Sequence, residues 1–391
     1  MERVIAEHLA EYGEKPEVIV SSPCRVHLMG DHSWFFKDKT LSVAIDKLVY
    51  IAISSRHDGA LKYFFSQVRE RKRGSLNTLK YRKEDRWANA VKAMLYATMS
   101  LKKSCEGLNF TIYSELPTSI GLGVTTAIKI ASAFALRRYF GMSATNANIL
   151  ETVEKGNREF LEENTYIADI NAVLYAKRKH FVLTDNATGT SQLIPFSYTD
   201  KTFVITDAKV PRIPVWPEEI IRTEQNFSLL SSLKRQKGDV WEYESSESEI
   251  NDVLQELNED MRKRLFYIIK EHYYVNEGVQ ALREDNFSLF ARYVNKSHES
   301  LRDLYQLSCP EIDWLIKRAM ELSSPSTRTP TVCSRIAGKG FGDCTFAFIP
   351  KEVVEKYLQK LTDYERIFGF QPVAYIVKPA GTVKFLKIQE K

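Results

Sequence analysis

The sequence predicts an α+β fold divided between two domains, and three observations carry that expectation. At 391 residues the chain exceeds the roughly 250–300 residues at which a single core stops growing. With 44% hydrophobic and 27% charged residues, it can bury a core and is not disordered. Extended and helical segments follow one another without the regular strand–helix–strand alternation of a parallel α/β sheet. No internal repeat is visible, and no linker rich in Pro, Gly and Ser marks a boundary. The boundary is placed near residue 190, giving domains 1–190 and 191–391.

The elements are justified in chain order. The N-terminal segment MERVIAEHLAEYGEKPE is charged and helical in pattern. VIVSSPCRVHLM, Val18 to Met29, reads as a strand, and Leu41 to Ser54 alternates apolar and polar as a second strand should. Between them lies GDHSWFFKDKT, a loop rich in functional side chains. Trp87 to Met99 has helical periodicity, and LNFTIY, Leu108 to Tyr113, alternates again. A turn with Pro117, Gly121 and Gly123 leads into the helical stretch IKIASAFALRRYF. Ala144 to Ala176 is mostly helical, and His180 to Thr184 is a short strand. The second half opens with the strand TFVITDA, followed by a long polar helical region from about Glu218 to Lys296. A strand begins near Thr331, followed by the loop AGKGFGD, the strand CTFAFIP, the helix KEVVEKYLQKL and the closing strand QPVAYIVKP.

Composition narrows the function. No apolar run reaches the roughly 18–20 residues of a membrane span, and the N-terminal segment lacks the apolar core of a signal peptide. Cys24, Cys105, Cys309, Cys333 and Cys344 are scattered, without metal-ligand spacing, and read as reduced thiols of a cytoplasmic protein. The net charge of +5 is mild. Its excess lies between Arg56 and Lys103, densest at Arg69, Arg71, Lys72 and Arg73. Without interleaved aromatic rings for stacking, that run reads as a solvated loop. Neither nucleic acid nor a membrane is an expected partner.

Three motifs carry chemistry. PTSIGLGVTTA, Pro117 to Ala127, is a two-glycine loop running straight into a helix. Unpaired backbone N–H groups at the positive end of a helix bind anions, and glycine lets backbone approach a phosphate closely. Thr125 and Thr126 add hydroxyls suited to Mg²⁺ or to capping. No Gly-Lys-Ser/Thr follows, so this is not a Walker loop. AGKGFGDC, with Gly338, Gly340 and Gly342, reads as a tight loop lying close to a ligand or to another backbone. CRVHLMGDH, Cys24 to His32, delivers Arg25, Asp31 and His32 around a glycine turn. Each alone is equally compatible with a turn, a hairpin or a surface ion pair.

In order and spacing, the three together resemble the GHMP kinases, and the first and third resemble galactokinases. That family reads GRVNLIGEHTDY where this chain has CRVHLMGDHSWF, a proline followed by GLSSSA against GLGVTTA, and GxGFGGC against GKGFGDC. RWANAVKAM, Arg86 to Met94, is similar to the family's segment around an adenine-packing tryptophan. Asn157 to Pro195 is similar to the region of its catalytic aspartate, and SHESLRDLYQLSCPEID to a galactokinase-specific stretch. The resemblance implies a ribosomal-protein-S5-like N-terminal α+β domain, a C-terminal α+β domain, and an active site in the cleft between them. It implies an ATP-dependent, Mg²⁺-assisted sugar 1-kinase acting on galactose or a related or modified sugar; a monomer is expected.

The resemblance also implies roles. Asp169 would accept the proton of the sugar hydroxyl. Arg25 would stabilise the transferred phosphoryl group and hold Asp169 ionised. Gly121, Leu122, Gly123, Val124, Thr125 and Thr126 would cradle the ATP phosphates, with Thr125 on the metal, and Trp87 would stack on adenine. Asp31, His32, Trp34 and Tyr166 would line the sugar beside Asp169. The chain departs from the family mainly on the sugar side and at the metal. Asp31 replaces a glutamate, Trp34 a carboxylate and Tyr166 a glycine, while Asn157 aligns with a glutamate expected to assist with metal and Glu159 lies out of register. Two functions are compatible with this pattern: a kinase for an altered sugar, or a catalytically weak sugar- and ATP-binding sensor or regulator.

Overall fold

The strands expected on either side of the Gly30 turn form as β1 (Val18–Met29) and β2 (Lys39–Arg56). They belong to a computed structural model that describes residues 1–32, 36–101, 107–118, 120–210, 255, 257–324, 329–338 and 343–387. The chain divides into two compact units, one of residues 1–26, 43–178 and 379–391, the other of 27–42 and 179–378. It passes from the first to the second unit near 178, where a single boundary near 190 was expected. The two units also share β1 and β2 as continuous chain.

In the first unit β1 is followed across the sheet by β2, then by β5 (Gly107–Ser114), β3 (Ala60–Phe65) and β4 (Glu70–Ser75). β5 is antiparallel to β2, with Ile51 opposite Ile112, and parallel to β3, with Tyr63 opposite Phe110. Helix α1 (Glu2–Tyr12) covers one face through Val4, which packs in a cluster with Ile19, Tyr50 and Ala52. Helices α2 (Ala88–Met99), α3 (Val124–Tyr139) and α4 (Asn146–Gly156) pack on one another. Gly156 permits that approach, because a Cβ there would lie 2.8 Å from the Ala93 carbonyl. The helical stretch expected over 144–176 breaks after α4 into a π-helical turn, Asn157–Leu161, and resumes as α5 (Ile167–Leu174).

The basic run is a strand, not the solvated loop expected. Glu70–Ser75 pairs along its whole length with β3. As the last strand of the sheet, it can hold charged side chains in solvent. Arg69 meets Glu7 at 2.6 Å and Arg71 meets Glu11 at 2.7 Å, so acids on α1 answer the run.

In the second unit β6 (His180–Asp185) and β7 (Ser191–Pro195) form a hairpin, and β6 also pairs with the first four residues of β2. β8 (Lys201–Asp207), β9 (Cys333–Ala337), β10 (Cys344–Pro350) and β11 (Val373–Val377) form an antiparallel sheet in the order β11-β8-β10-β9. Helices α6 (Glu259–Arg283), α7 (Phe287–Asp303), α8 (Pro310–Met320) and α9 (Val354–Phe368) complete it. The helical region expected from Glu218 lies outside the described residues up to 254. Its remainder is two helices, because Asn286 stops one and caps the next by accepting the Leu289 N–H at 3.0 Å. The closing strand β12 (Lys384–Phe385) returns to the first unit and pairs with β1.

Candidate active site

The glycine loop runs directly into the N-terminus of α3. Gly121 and Gly123 have φ of 77° and 72°, a region that glycine enters without strain. Gly123 is the N-cap of α3 and has no side chain to cap the helix, so the N–H groups of the first turn face outward. Leu122 and Val124 are buried and anchor the loop, while Thr125 is exposed and Thr126 partly so. The loop is tied to β1, because the Arg25 N–H donates to the Leu122 carbonyl at 3.1 Å.

Arg25 and Asp169 meet at this loop, although 143 residues separate them in the chain. Arg25 donates Nε to Asp169 Oδ1 at 2.8 Å and Nη1 to the Gly121 carbonyl at 3.2 Å, and its Nη2 lies 2.6 Å from the same carboxylate oxygen. Thr126 donates its hydroxyl to Asp169 Oδ2 at 3.1 Å. Asp169 lies in the first turn of α5, and its N–H donates to the Tyr166 carbonyl at 3.1 Å. Tyr166 is half-buried at the N-cap of α5. A carboxylate, a guanidinium and the start of a helix therefore stand together.

Trp87 precedes α2 and is half-buried. It donates Nε1 to Glu70 Oε2 at 2.5 Å and meets Phe65 edge-on at 5.3 Å. Gly338 has φ of 93°, and a Cβ there would lie 2.6 Å from Asp343 Oδ2. Trp34, Gly340 and Gly342 lie outside the described residues.

In the second unit Asp31 is buried and ion-paired. Arg335, fully buried on β9, donates Nη2 to Asp31 Oδ1 at 2.5 Å and Nε to Ser297 Oγ at 2.8 Å. Glu271, also fully buried, accepts from the Gly30 N–H at 2.7 Å and from Ser297 Oγ, and lies 3.4 Å from Arg335. Burial alone would raise the Asp31 carboxyl. Arg335, helped by His32 and His27, outweighs it and holds the group well below the usual carboxylate range. Burial dominates at Glu271 and raises its carboxyl. His32 Nε2 is 3.4 Å from Asp31, and its ring lies 5.6 Å from that of Tyr305.

Sequence reasoning missed Arg335, Glu271, Ser297 and Lys129. A signal was present for three of them: an ionisable residue inside an apolar run, as in VCSRIA, FYIIKEHYYV and AIKIASAF. Such a residue must find a partner when it is buried.

Three family models match the chain. The galactokinase galactose-binding signature covers residues 6–55, the GHMP kinases N terminal domain covers 88–177, and GHMP kinases C terminal covers 279–366. A protein of Treponema pallidum named "Putative galactokinase" is 39% identical over 381 residues, which is 97% of this chain and 95% of that one. The chain belongs to the galactokinase family of GHMP kinases. The galactokinase of Bacillus subtilis is 24% identical to this family member, with 96% of each chain covered. The crystal structure of Lactococcus lactis galactokinase complexed with galactose shares its fold, with a TM-score of 0.88 at 20% identity over 98% of this chain and 99% of that one. This chain is accordingly a galactokinase-like sugar kinase, and ATP is the family's phosphoryl donor. Among the described residues, no helix is long and apolar enough to cross a membrane.

In this galactokinase-family chain a lysine reaches Asn157. Lys129 on α3 donates to Asn157 Oδ1 at 2.7 Å and to Glu163 at 2.9 Å. Asn157 and Lys129 are both buried. Glu159 pairs instead with its neighbour Arg158 at 2.9 Å.

Proposed function

We propose that this kinase transfers the γ-phosphoryl group of ATP to the anomeric hydroxyl of a sugar other than plain galactose, with Asp169 as the base. The observation that carries this reading is the meeting of Arg25, Asp169 and Thr126 at the start of α3. The open N–H groups of residues 124–126 receive phosphate oxygens. Asp169 accepts the proton of the attacking hydroxyl as the oxygen–phosphorus bond forms. Arg25 positions that carboxylate and offers donors to the charge that develops on the phosphoryl oxygens. Trp87 presents a ring face for adenine.

The sugar preference follows from two departures from the family pattern, Asp31 and Tyr166. An aspartate held by a buried arginine has less to offer a sugar hydroxyl than an uncommitted carboxylate, and Tyr166 adds bulk where the family has glycine. A site stripped of hydroxyl-binding groups discriminates weakly on them and accommodates an apolar or bulky face instead. His32 and Trp34 belong to the same recognition segment.

Mg²⁺ binding asks for oxygen ligands with room around the ion. Thr125 offers an exposed hydroxyl, but the amide oxygen of Asn157 is already occupied by an ammonium group at 2.7 Å. A fixed cation there opposes a second one, so the residues present do not fit a carboxylate-held Mg²⁺.

The test is ATP consumption over a panel of free monosaccharides, run with the unmodified protein and with Asp169→Asn. We expect one acceptor to be clearly preferred, and Asp169→Asn to lower its kcat by about two to four decades with ATP binding retained. Galactose should fall below about 10⁴ M⁻¹s⁻¹ in kcat/KM. A value above that makes the chain a plain galactokinase, and undiminished turnover of Asp169→Asn assigns the base elsewhere.

A further inference from the structure

Lys129 is a buried cation that the mechanism above leaves unused. It sits on α3 three residues after Thr126, so the two side chains share one face of the helix. Helical side chains lean toward the N-terminus, which carries the Lys129 stem back toward the phosphate-binding end of α3. Its side chain is only 10% exposed, yet one of its two partners is not part of the core: the Glu163 side chain is 57% exposed. The other partner is Asn157, at the position where the family's metal-assisting carboxylate aligns.

This arrangement inverts the charge of that corner. A carboxylate that would recruit a cation has become a neutral amide, and a protein cation reaches it directly. Glu163 then occupies the ammonium as a solvent-exposed anion, which an incoming phosphate can displace. An ammonium has three N–H donors, and the two partners leave one over for a phosphate oxygen.

We propose that Lys129 is the resident cation of the nucleotide site, neutralising ATP phosphate charge where the family relies on a carboxylate-assisted metal. The inference rests on the ATP-dependent reading above. It predicts that nucleotide binding in this kinase depends little on divalent metal, and that Glu163 competes with the phosphates.

The experiment is calorimetric titration of adenylyl imidodiphosphate into the full chain, once in EDTA and once in excess Mg²⁺. We expect the two Kd values to agree within about threefold. Lys129→Met should weaken binding in EDTA by about tenfold or more, and binding in Mg²⁺ by clearly less, since the metal then supplies the missing charge. Glu163→Gln should tighten binding in EDTA by about two- to fivefold, because it removes the competing anion. A purely structural clamp would do the opposite when broken, so weaker or unchanged binding of Glu163→Gln overturns the proposal. Equal losses in both buffers for Lys129→Met also overturn it. Should Lys129→Met not fold, the unmodified protein and Glu163→Gln still decide. Binding of the unmodified protein in Mg²⁺ alone removes this inference only, whereas binding in neither buffer removes the ATP-dependent reading and this inference with it.

Discussion

Gly123 shows how little room the phosphate loop has. Its φ is 72°, and a Cβ would lie 2.8 Å from Arg25 Cγ and 3.1 Å from Nε. Gly123→Ala therefore strains the backbone and pushes on the side chain that holds Asp169. We expect Gly123→Ala to keep the fold but lose about ten- to a hundredfold in kcat, because sub-ångström misplacement of a catalytic group costs that order. Steady-state kinetics with a circular dichroism control would check it. Unchanged kcat would mean that Arg25 can move without disturbing the chemistry. Arg25 and the two glycines stood out in the sequence because residue type and local pattern coincide there, whereas Asp169 was reached only through the family resemblance. Lys129 did not stand out, since nothing in AIKIASAF says which distant side chain its ammonium meets.

At the scale of elements, α1 is bound to the sheet by a buried histidine. His8 shares hydrogen bonds with Thr111 on β5 at 2.9 Å and with Ser54 on β2 at 3.0 Å. Burial lowers its pKa to about 4, against a smaller opposing pull from Glu14. Because the folded-state value is depressed below the ordinary 6.5, the unfolded chain binds the proton more readily. The stabilisation is fully present above pH 6.5 and is lost as pH falls toward about 4, by up to about 3 kcal/mol. Thermal melts across that window should show the decline. His8→Gln, which retains hydrogen-bonding groups without titrating, should lose less Tm on acidification than the unmodified protein. Parallel pH profiles would show that α1 docking does not depend on the His8 charge. The same element explains the basic run: Arg69 and Arg71 lie on or beside an edge strand that α1 reaches with Glu7 and Glu11.

At the scale of the whole molecule, Arg335 gathers segments far apart in sequence. Asp31 follows the Gly30 turn, Glu271 lies on α6, Ser297 on α7 and Arg335 on β9. The two acids and the arginine are buried, so removing the cation leaves two buried acids without their shared counter-ion. Burial lowers the Arg335 pKa, but Asp31 and Glu271 outweigh it and raise the guanidinium above its usual range. We expect Arg335→Met to cost about 3–5 kcal/mol, and adding Glu271→Gln to recover part of that loss. Urea denaturation of the three proteins would measure it. A loss below about 1 kcal/mol would mean that the network relaxes without Arg335. This arrangement commits Asp31 to a buried guanidinium through the fold, which the motif around Gly30 does not reveal.

The sequence by itself determined the elements whose pattern is local. The strands at 18–29 and 107–114, the helix entered from Gly123 and the glycine turns are periodicity and backbone freedom written into neighbouring residues. The family motifs likewise brought Arg25, Asp169 and the phosphate loop onto one list. Tertiary structure decided what depends on partners. It made the run at 70–75 a strand, because β3 supplies its hydrogen bonds. It spent Asp31 on Arg335, 304 positions away, and it put an ammonium beside Asn157. A charged side chain in a short stretch of sequence carries its pKa and its length, but not its counter-ion. Folding chooses the counter-ion, and here it sets a buried guanidinium against Asp31 and an ammonium beside Asn157.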